Sequence, residues 1–378
     1  MNQQAPQTDV FIVGGGPAGL AAAIGARENG FQVTVADRLR PPIDKACGEG
    51  LMPGAVAALQ SLGVRFYPGE AIPFRGIRFL DGQTGVSTQA EFPQGVGLAV
   101  RRTVLHAKLA QRAAEAGAVL IWGAQVTPLG GGRVACDGRE IGSRWIIGAD
   151  GQQSLVRKWA GLQPLRRERR RFGFRQHFRA APWSDFVEVY WGPSCQVAVT
   201  PTGPEEIGLA VISRSSGTRL QGALREMPVL AARLGGAQAT TRERGAQCVL
   251  RRLQALHRGR FVLIGDASGS VDPVTGEGLG LAFRQAIALA GALRCGELRR
   301  YRAAHEIIGR MPYWMSQLIL SMDHSAWLRH RALRALAAEP DLLARLLNAH
   351  AEGLGASPIA AFDALRLGWR LAGLGWPG

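Results

Sequence analysis

Two glycine-rich segments, far apart in the chain, carry residues suited to hold a phosphate-bearing ligand. The first is Asp9-Val-Phe-Ile-Val-Gly14-Gly15-Gly16-Pro17-Ala18-Gly19. The second is Gly265-Asp266-Ala-Ser-Gly269-Ser-Val-Asp272-Pro273-Val-Thr-Gly276-Glu277-Gly278. In the first, Gly14 permits a tight turn, Gly16 lets backbone approach a pyrophosphate, and Gly19 lets a helix pack close to a strand. The following helix N-terminus offers unpaired N–H groups and partial positive charge to phosphates. Asp37, about 20 residues on, is placed to accept from ribose hydroxyls. In the second, Asp266 ends an apolar run and can accept from a polyol hydroxyl. Pro273 fixes a bend there, and Gly276 and Gly278 allow backbone beside a planar ring. As an ordered pair the segments point to bound FAD.

The positioning elements are legible around them. Residues 10–13 form a short apolar run, as a buried parallel strand does. A helix is expected over 20–28, then a second strand over 32–36 ending in Asp37. Strand patterns recur at 118–122 and 145–147, with a helix over 107–117 and a glycine turn at 130–132. Residues 75–92 alternate around Asp81-Gly82. From 171 to 249 strands dominate, at 172–178, 186–191, 196–200 and 207–212. Residues 261–264 return to a buried strand, and helical patterns follow with breaks expected at Pro312, Pro340 and Pro358.

The expected fold class is α/β: a discontinuous Rossmann-like FAD-binding domain (1–70, 95–165, 250–305), an inserted antiparallel β-rich substrate domain (71–94, 166–249), and a C-terminal helical region (306–378).

Bulk properties narrow the class. The 378 residues suffice for a large core, and no run of about 20 apolar residues lacks charge. The first residues lack the basic start and apolar run of a secretion signal, so a cytoplasmic setting is expected. The five cysteines (Cys47, Cys136, Cys195, Cys248, Cys295) lack paired spacing, which argues against a metal site or a disulfide framework. The net charge of +16 is mostly arginine, with its densest run at 166–171. That run reads as a solvated connection, or as attraction to an anionic membrane or an acidic carrier protein. No nucleic-acid module surrounds it.

The ordered motifs resemble the flavoprotein superfamily of aromatic hydroxylases and geranylgeranyl reductases. Gly148-Ala149-Asp150-Gly151-Gln-Gln-Ser154-Leu-Val156-Arg157 is similar to the superfamily's Asp-Gly motif. Arg102-Thr-Val-Leu105-His106 resembles its arginine-led helix start, and the Gly265-Asp266 segment resembles its ribityl motif. The resemblance implies a p-hydroxybenzoate hydroxylase-like fold with FAD contacts at Gly14, Gly16, Pro17, Ala18, Gly19, Asp37, Arg38, Lys45, Cys47, Gly48, Arg102, Val126, Asp150, Gly265, Asp266, Pro273, Gly276, Gly278 and Leu279. Asp150 and Arg157 read equally as structural.

The loop Asp44-Lys45-Ala46-Cys47-Gly48-Glu49-Gly50 is similar to the reductases. In it Cys47 is a buried filler or a catalyst, and Glu49 an acid or base. The aromatic channel segment of the reductases is absent from Cys195 to Pro201. His177, Tyr190 and Trp191 could face a substrate. The first functional expectation is a monooxygenase, reduced by transient NAD(P)H, that hydroxylates a phenolic or polyketide-like molecule through a flavin C4a-hydroperoxide. The second is a C=C reductase of a prenyl or polyene lipid. The third is a flavoprotein acting on a carrier-bound substrate.

Overall fold

The computed structural model of the protein describes residues 7–162, 164 and 169–352. Its organising element is a twisted sheet in which Phe261–Leu263, Arg139–Gly148, Gln7–Val13, Val33–Asp37 and Val119–Trp122 lie side by side, all parallel. The central strand reads as unbroken apolar sequence because both of its faces are covered. Leu20, Ile24, Leu105, Leu109, Phe283 and Leu289, from the helices Pro17–Glu28, Arg102–Glu115 and Gly278–Cys295, cover one face. Val134, Ile141, Val156 and Ala267 close the other around Phe11 and Val13. The carboxyl ends of the parallel strands carry both glycine segments, where ligands of open α/β sheets bind.

A second, seven-stranded sheet has the order Arg244–Leu250, Arg169–Arg179, Glu206–Ser213, Cys195–Gly203, Phe186–Trp191, Gly76–Asp81, Ser87–Glu91. It departs from the all-antiparallel expectation at one place, since Phe186–Trp191 and Gly76–Asp81 run parallel. Those strands come from distant parts of the chain, so no tight hairpin forces them antiparallel. A small sheet of Gly50–Leu51, Gly97–Ala99 and Ile72–Phe74 lies against Cys195–Gly203 of the second one.

Three helices, Leu298–His324, Ala326–Ala338 and Pro340–Glu352, pack Ile319, Met322, Leu336, Leu343 and Leu347 against the second sheet. The break expected at Pro312 does not occur. Pro312 is buried within the 27-residue helix, whose walls are held by packing on both neighbours. The helix ends at Ser325 instead, whose hydroxyl caps the next helix by accepting from Leu328 N–H. Pro340 opens the third helix, where proline's missing N–H costs nothing. Pro358, the apolar segment 359–376 and positions 166–168 of the arginine run lie outside the described residues. Among the described residues no helix is long and apolar enough to cross a membrane.

Candidate functional site: a dinucleotide cradle opening into an apolar cavity

A cavity of about 950 Å³ runs between the two large sheets and the C-terminal helices. Every cofactor-contact residue expected from sequence lines it except Gly19, which lies behind the turn. The three fingerprint glycines do different work. Gly14 has φ +110°, and a Cβ there would sit 2.5 Å from Ala149 O. A Cβ on Gly19 would sit 1.9 Å from Gly14 O, so helix and turn touch there. At Gly16 a Cβ would meet nothing within 4 Å, because this position faces the open cavity.

The donor set fits FAD. The Arg102 guanidinium is buried at the cavity wall with its Nε unpartnered, suiting a pyrophosphate. Asp37 accepts from Gly15 N–H (2.7 Å) and Leu39 N–H (2.8 Å) and lines the cavity, with lone pairs left that suit ribose hydroxyls. His106 supports the loop from below, with Nε2 3.0 Å from Gly15 O. Burial, reinforced by Arg102, pushes its pKa down, which favours a neutral ring donating to that carbonyl. At the second segment Gly276 is left-handed (φ +70°) and the helix from Gly278 begins without a side-chain cap. Its first N–H groups are therefore open to an acceptor. Asp266 pairs with Lys45 at 3.8 Å across the cavity mouth. Ser268 holds the turn by donating to Gly265 O (2.7 Å) and meeting His305 Nε2 (2.9 Å).

Asp150 acts as a helix cap. It accepts from Ser154 Oγ (2.5 Å), Leu155 N–H (2.6 Å) and Val156 N–H (3.3 Å). Arg157 donates to Ala267 O (3.2 Å) and Gln152 O (2.8 Å), tying this loop to the ribityl segment.

The loop 44–50 holds what sequence reasoning missed. Glu49 is left-handed (φ 60°) and 2% exposed. Its Oε1 accepts from Arg102 N–H (2.8 Å), and Oε2 lies 2.5 Å from His177 Nε2. His177 Nδ1 faces two donors, Arg175 Nη1 and Thr241 Oγ1, each at 3.0 Å. The ring proton therefore sits on Nε2 and is donated to Glu49. Arg175 also pairs with Asp44. So Glu49 joins the loop, the Arg102 helix and the second sheet, and both its oxygens are engaged. The arrangement positions backbone, and Glu49 lines the cavity with each oxygen holding one hydrogen bond. Cys47 lines the cavity, with Sγ accepting from Glu49 N–H at 3.4 Å.

A second buried cluster holds the other cofactor loop. Arg171 lies 3.4 Å from Asp272 and 3.6 Å from Asp323, and donates to Gln196, which in turn donates to Asp323 (2.5 Å). Asp272 N–H donates to Ser316 of the long C-terminal helix (2.9 Å). Burial pushes the Asp272 carboxyl pKa up despite Arg171. Thus Arg171, the last arginine of the basic run, is no solvated link. The spacing of Arg171, Arg175 and His177 at even steps on one strand is the signal that could have exposed both clusters.

Beyond the loops the cavity wall is apolar. Phe79, Val187, Val189 and Trp191 face it from the second sheet, and Met315, Leu318, Met322, Leu336 and Leu346 from the helices. Trp191 is on this wall, whereas Tyr190 points to the opposite side, donating to Glu188 (2.7 Å). Among the described residues no His, Cys, Asp and Glu cluster could hold a metal.

Comparison with known proteins agrees with the donor set. A menaquinone reductase of Mycolicibacterium smegmatis is 30% identical over 333 residues, covering 79% of each chain. Ubiquinone hydroxylase UbiL of Rhodospirillum rubrum is 28% identical over 318 residues, covering 75% of this chain and 72% of that protein. The crystal structure of a flavoprotein/dehydrogenase from Cytophaga hutchinsonii superposes with a TM-score of 0.80 at 19% identity, over 97% of this chain and 99% of that one. A family model described as FAD binding domain matches residues 7–299, and on that match the chain belongs to this family of FAD-dependent oxidoreductases.

Proposed function

We propose that the enzyme hydroxylates the ring of a phenol or quinol that carries a long apolar tail, with NAD(P)H as transient reductant. The observation that carries this reading is a cavity in which the cofactor loops meet a wall of leucine, methionine and aromatic side chains. The relatives named for menaquinone and ubiquinone support a ring-bearing lipid as the substrate class. Bound FAD supplies the redox chemistry between NAD(P)H, oxygen and substrate. In balance, one oxygen atom enters the ring, the other leaves as water, and NAD(P)H gives up its hydride.

The chain's own residues bind, orient and exclude water. Arg102 and the backbone at Gly16 neutralise pyrophosphate, while Asp37 fixes the ribose. Glu49, held by Arg102 and His177, sets the backbone of the 47–50 loop. The apolar wall keeps the reacting region dry, which protects reactive species from water.

Reduction of a C=C bond in a prenyl tail is the second reading, supported by a relative named digeranylgeranylglycerophospholipid reductase. Incubating FAD-loaded enzyme and NAD(P)H with a short-tailed quinol, with and without oxygen, separates the two by product mass. A product one oxygen heavier, formed only aerobically, is expected. A product two hydrogens heavier, formed without oxygen, overturns the hydroxylase reading in favour of the reductase.

A further inference from the structure

The helices that wall the cavity have an outer face of a different kind. Along Leu298–His324 the exposed side chains of Ile307, Arg310 and Trp314 follow at three- and four-residue steps, one stripe of the helix. Ala326–Ala338 carries Trp327, 61% exposed, and the exposed Arg334. The Arg331 guanidinium stacks 5.0 Å over the Trp327 ring. From position 307 to 338 the sequence contains one carboxylate, Asp323, and that residue is buried against Gln196 and Arg171. Glu306, four residues before Arg310, pairs with Arg302, so the outer face combines large amphipathic aromatics with a surplus of cations.

We propose that this face docks the enzyme on an anionic lipid bilayer. Trp314 and Trp327 seat at headgroup depth, where an apolar ring with one N–H is most at ease. Arg310, Arg331 and Arg334 meet the headgroup phosphates. A second copy of this chain is a poor occupant, because a two-fold contact would oppose the arginines to themselves. The inner sides of the same helices present Met315 and Met322 to the cavity, so docking sets the cavity beside a reservoir of apolar tails. The placement therefore deepens the lipid-substrate reading and rests on it, although bilayer contact is measured separately from turnover.

The test is sedimentation of the FAD-loaded full chain with vesicles of phosphatidylcholine alone or mixed with phosphatidylglycerol, at low and high salt. Binding to the mixed vesicles only, weakened by salt, is expected. The double variants W314A/W327A and R310E/R334E should bind about tenfold more weakly or worse. Flavin absorbance and turnover of a detergent-dispersed substrate should stay unchanged. Absence of vesicle binding by the parent chain, equal binding to both vesicle types, or undiminished binding by both variants overturns the proposal. Vesicle binding without turnover of any lipid would leave the docking face standing and sink the substrate reading.

Discussion

At the scale of single residues, the three fingerprint glycines separate folding from cofactor binding. A side chain at Gly19 collides with Gly14 O inside the protein, whereas one at Gly16 enters only the cavity. Gly16→Val is therefore expected to fold, with a Tm within a few degrees of the parent, and to purify with little flavin. Gly19→Val is expected to destabilise by several kcal/mol through overpacking of backbone, at about the upper end of such costs. Thermal melts and the flavin absorbance of purified protein check both. A Gly16→Val protein with full flavin content would move the pyrophosphate elsewhere. The sequence pattern carries this distinction only in part. It assigns Gly16 to the ligand and Gly19 to helix packing, but not the close approach of Ala149 to Gly14, since Ala149 arrives from a strand far along the chain.

At the scale of elements, the turn of the ribityl segment depends on a histidine that sequence patterning passes over. His305 sits two turns into the long helix, packs edge-on to Tyr301 at 5.8 Å and meets Ser268 at 2.9 Å. Burial pushes its pKa down to about 4 from 6.5. Below about pH 6.5 the unfolded chain takes up a proton that the folded chain refuses until about pH 4, so stability falls as the pH is lowered through that window. The slope approaches ~1.4 kcal/mol per pH unit and the total is on the order of 3 kcal/mol. His106, also depressed by burial, acts with the same sign. Asp272, raised by burial, acts with the opposite sign, losing stability as the pH rises through its folded value. Denaturant midpoints measured between pH 4 and 7 should show the slope, and His305→Gln should flatten it. An unchanged slope in that variant would assign the acid lability to another group.

The nearby strands were far more legible than this contact. The parallel strands announce themselves by apolar runs, and residues 75–92 of the second sheet by alternation. Local pattern does not encode the pairing of Gly76–Asp81 with Phe186–Trp191 or the Glu49–His177 contact, since each joins segments more than a hundred residues apart. The continuous helix through Pro312 is the reverse case, in which tertiary packing overrides a local breaker.

At the scale of the whole molecule, the position of the C-terminal helices decides what the cavity accepts. The strands and cofactor loops alone would leave the ring site open; Leu336, Leu343 and Leu346 close its far end. If the apolar end holds a tail, its depth sets the tail length. Leu336→Trp adds bulk at the wall without touching either cofactor loop, so flavin content should be unchanged. With substrates that share a ring, kcat/KM should fall about 10- to 200-fold for a long tail, the range expected for losing one or two methylene sites in an apolar pocket. It should hold within about threefold for a tailless analogue. An equal fall for both substrates would mean that this end of the cavity supports the ring site and receives no tail, and the substrate class would then narrow to simple phenols.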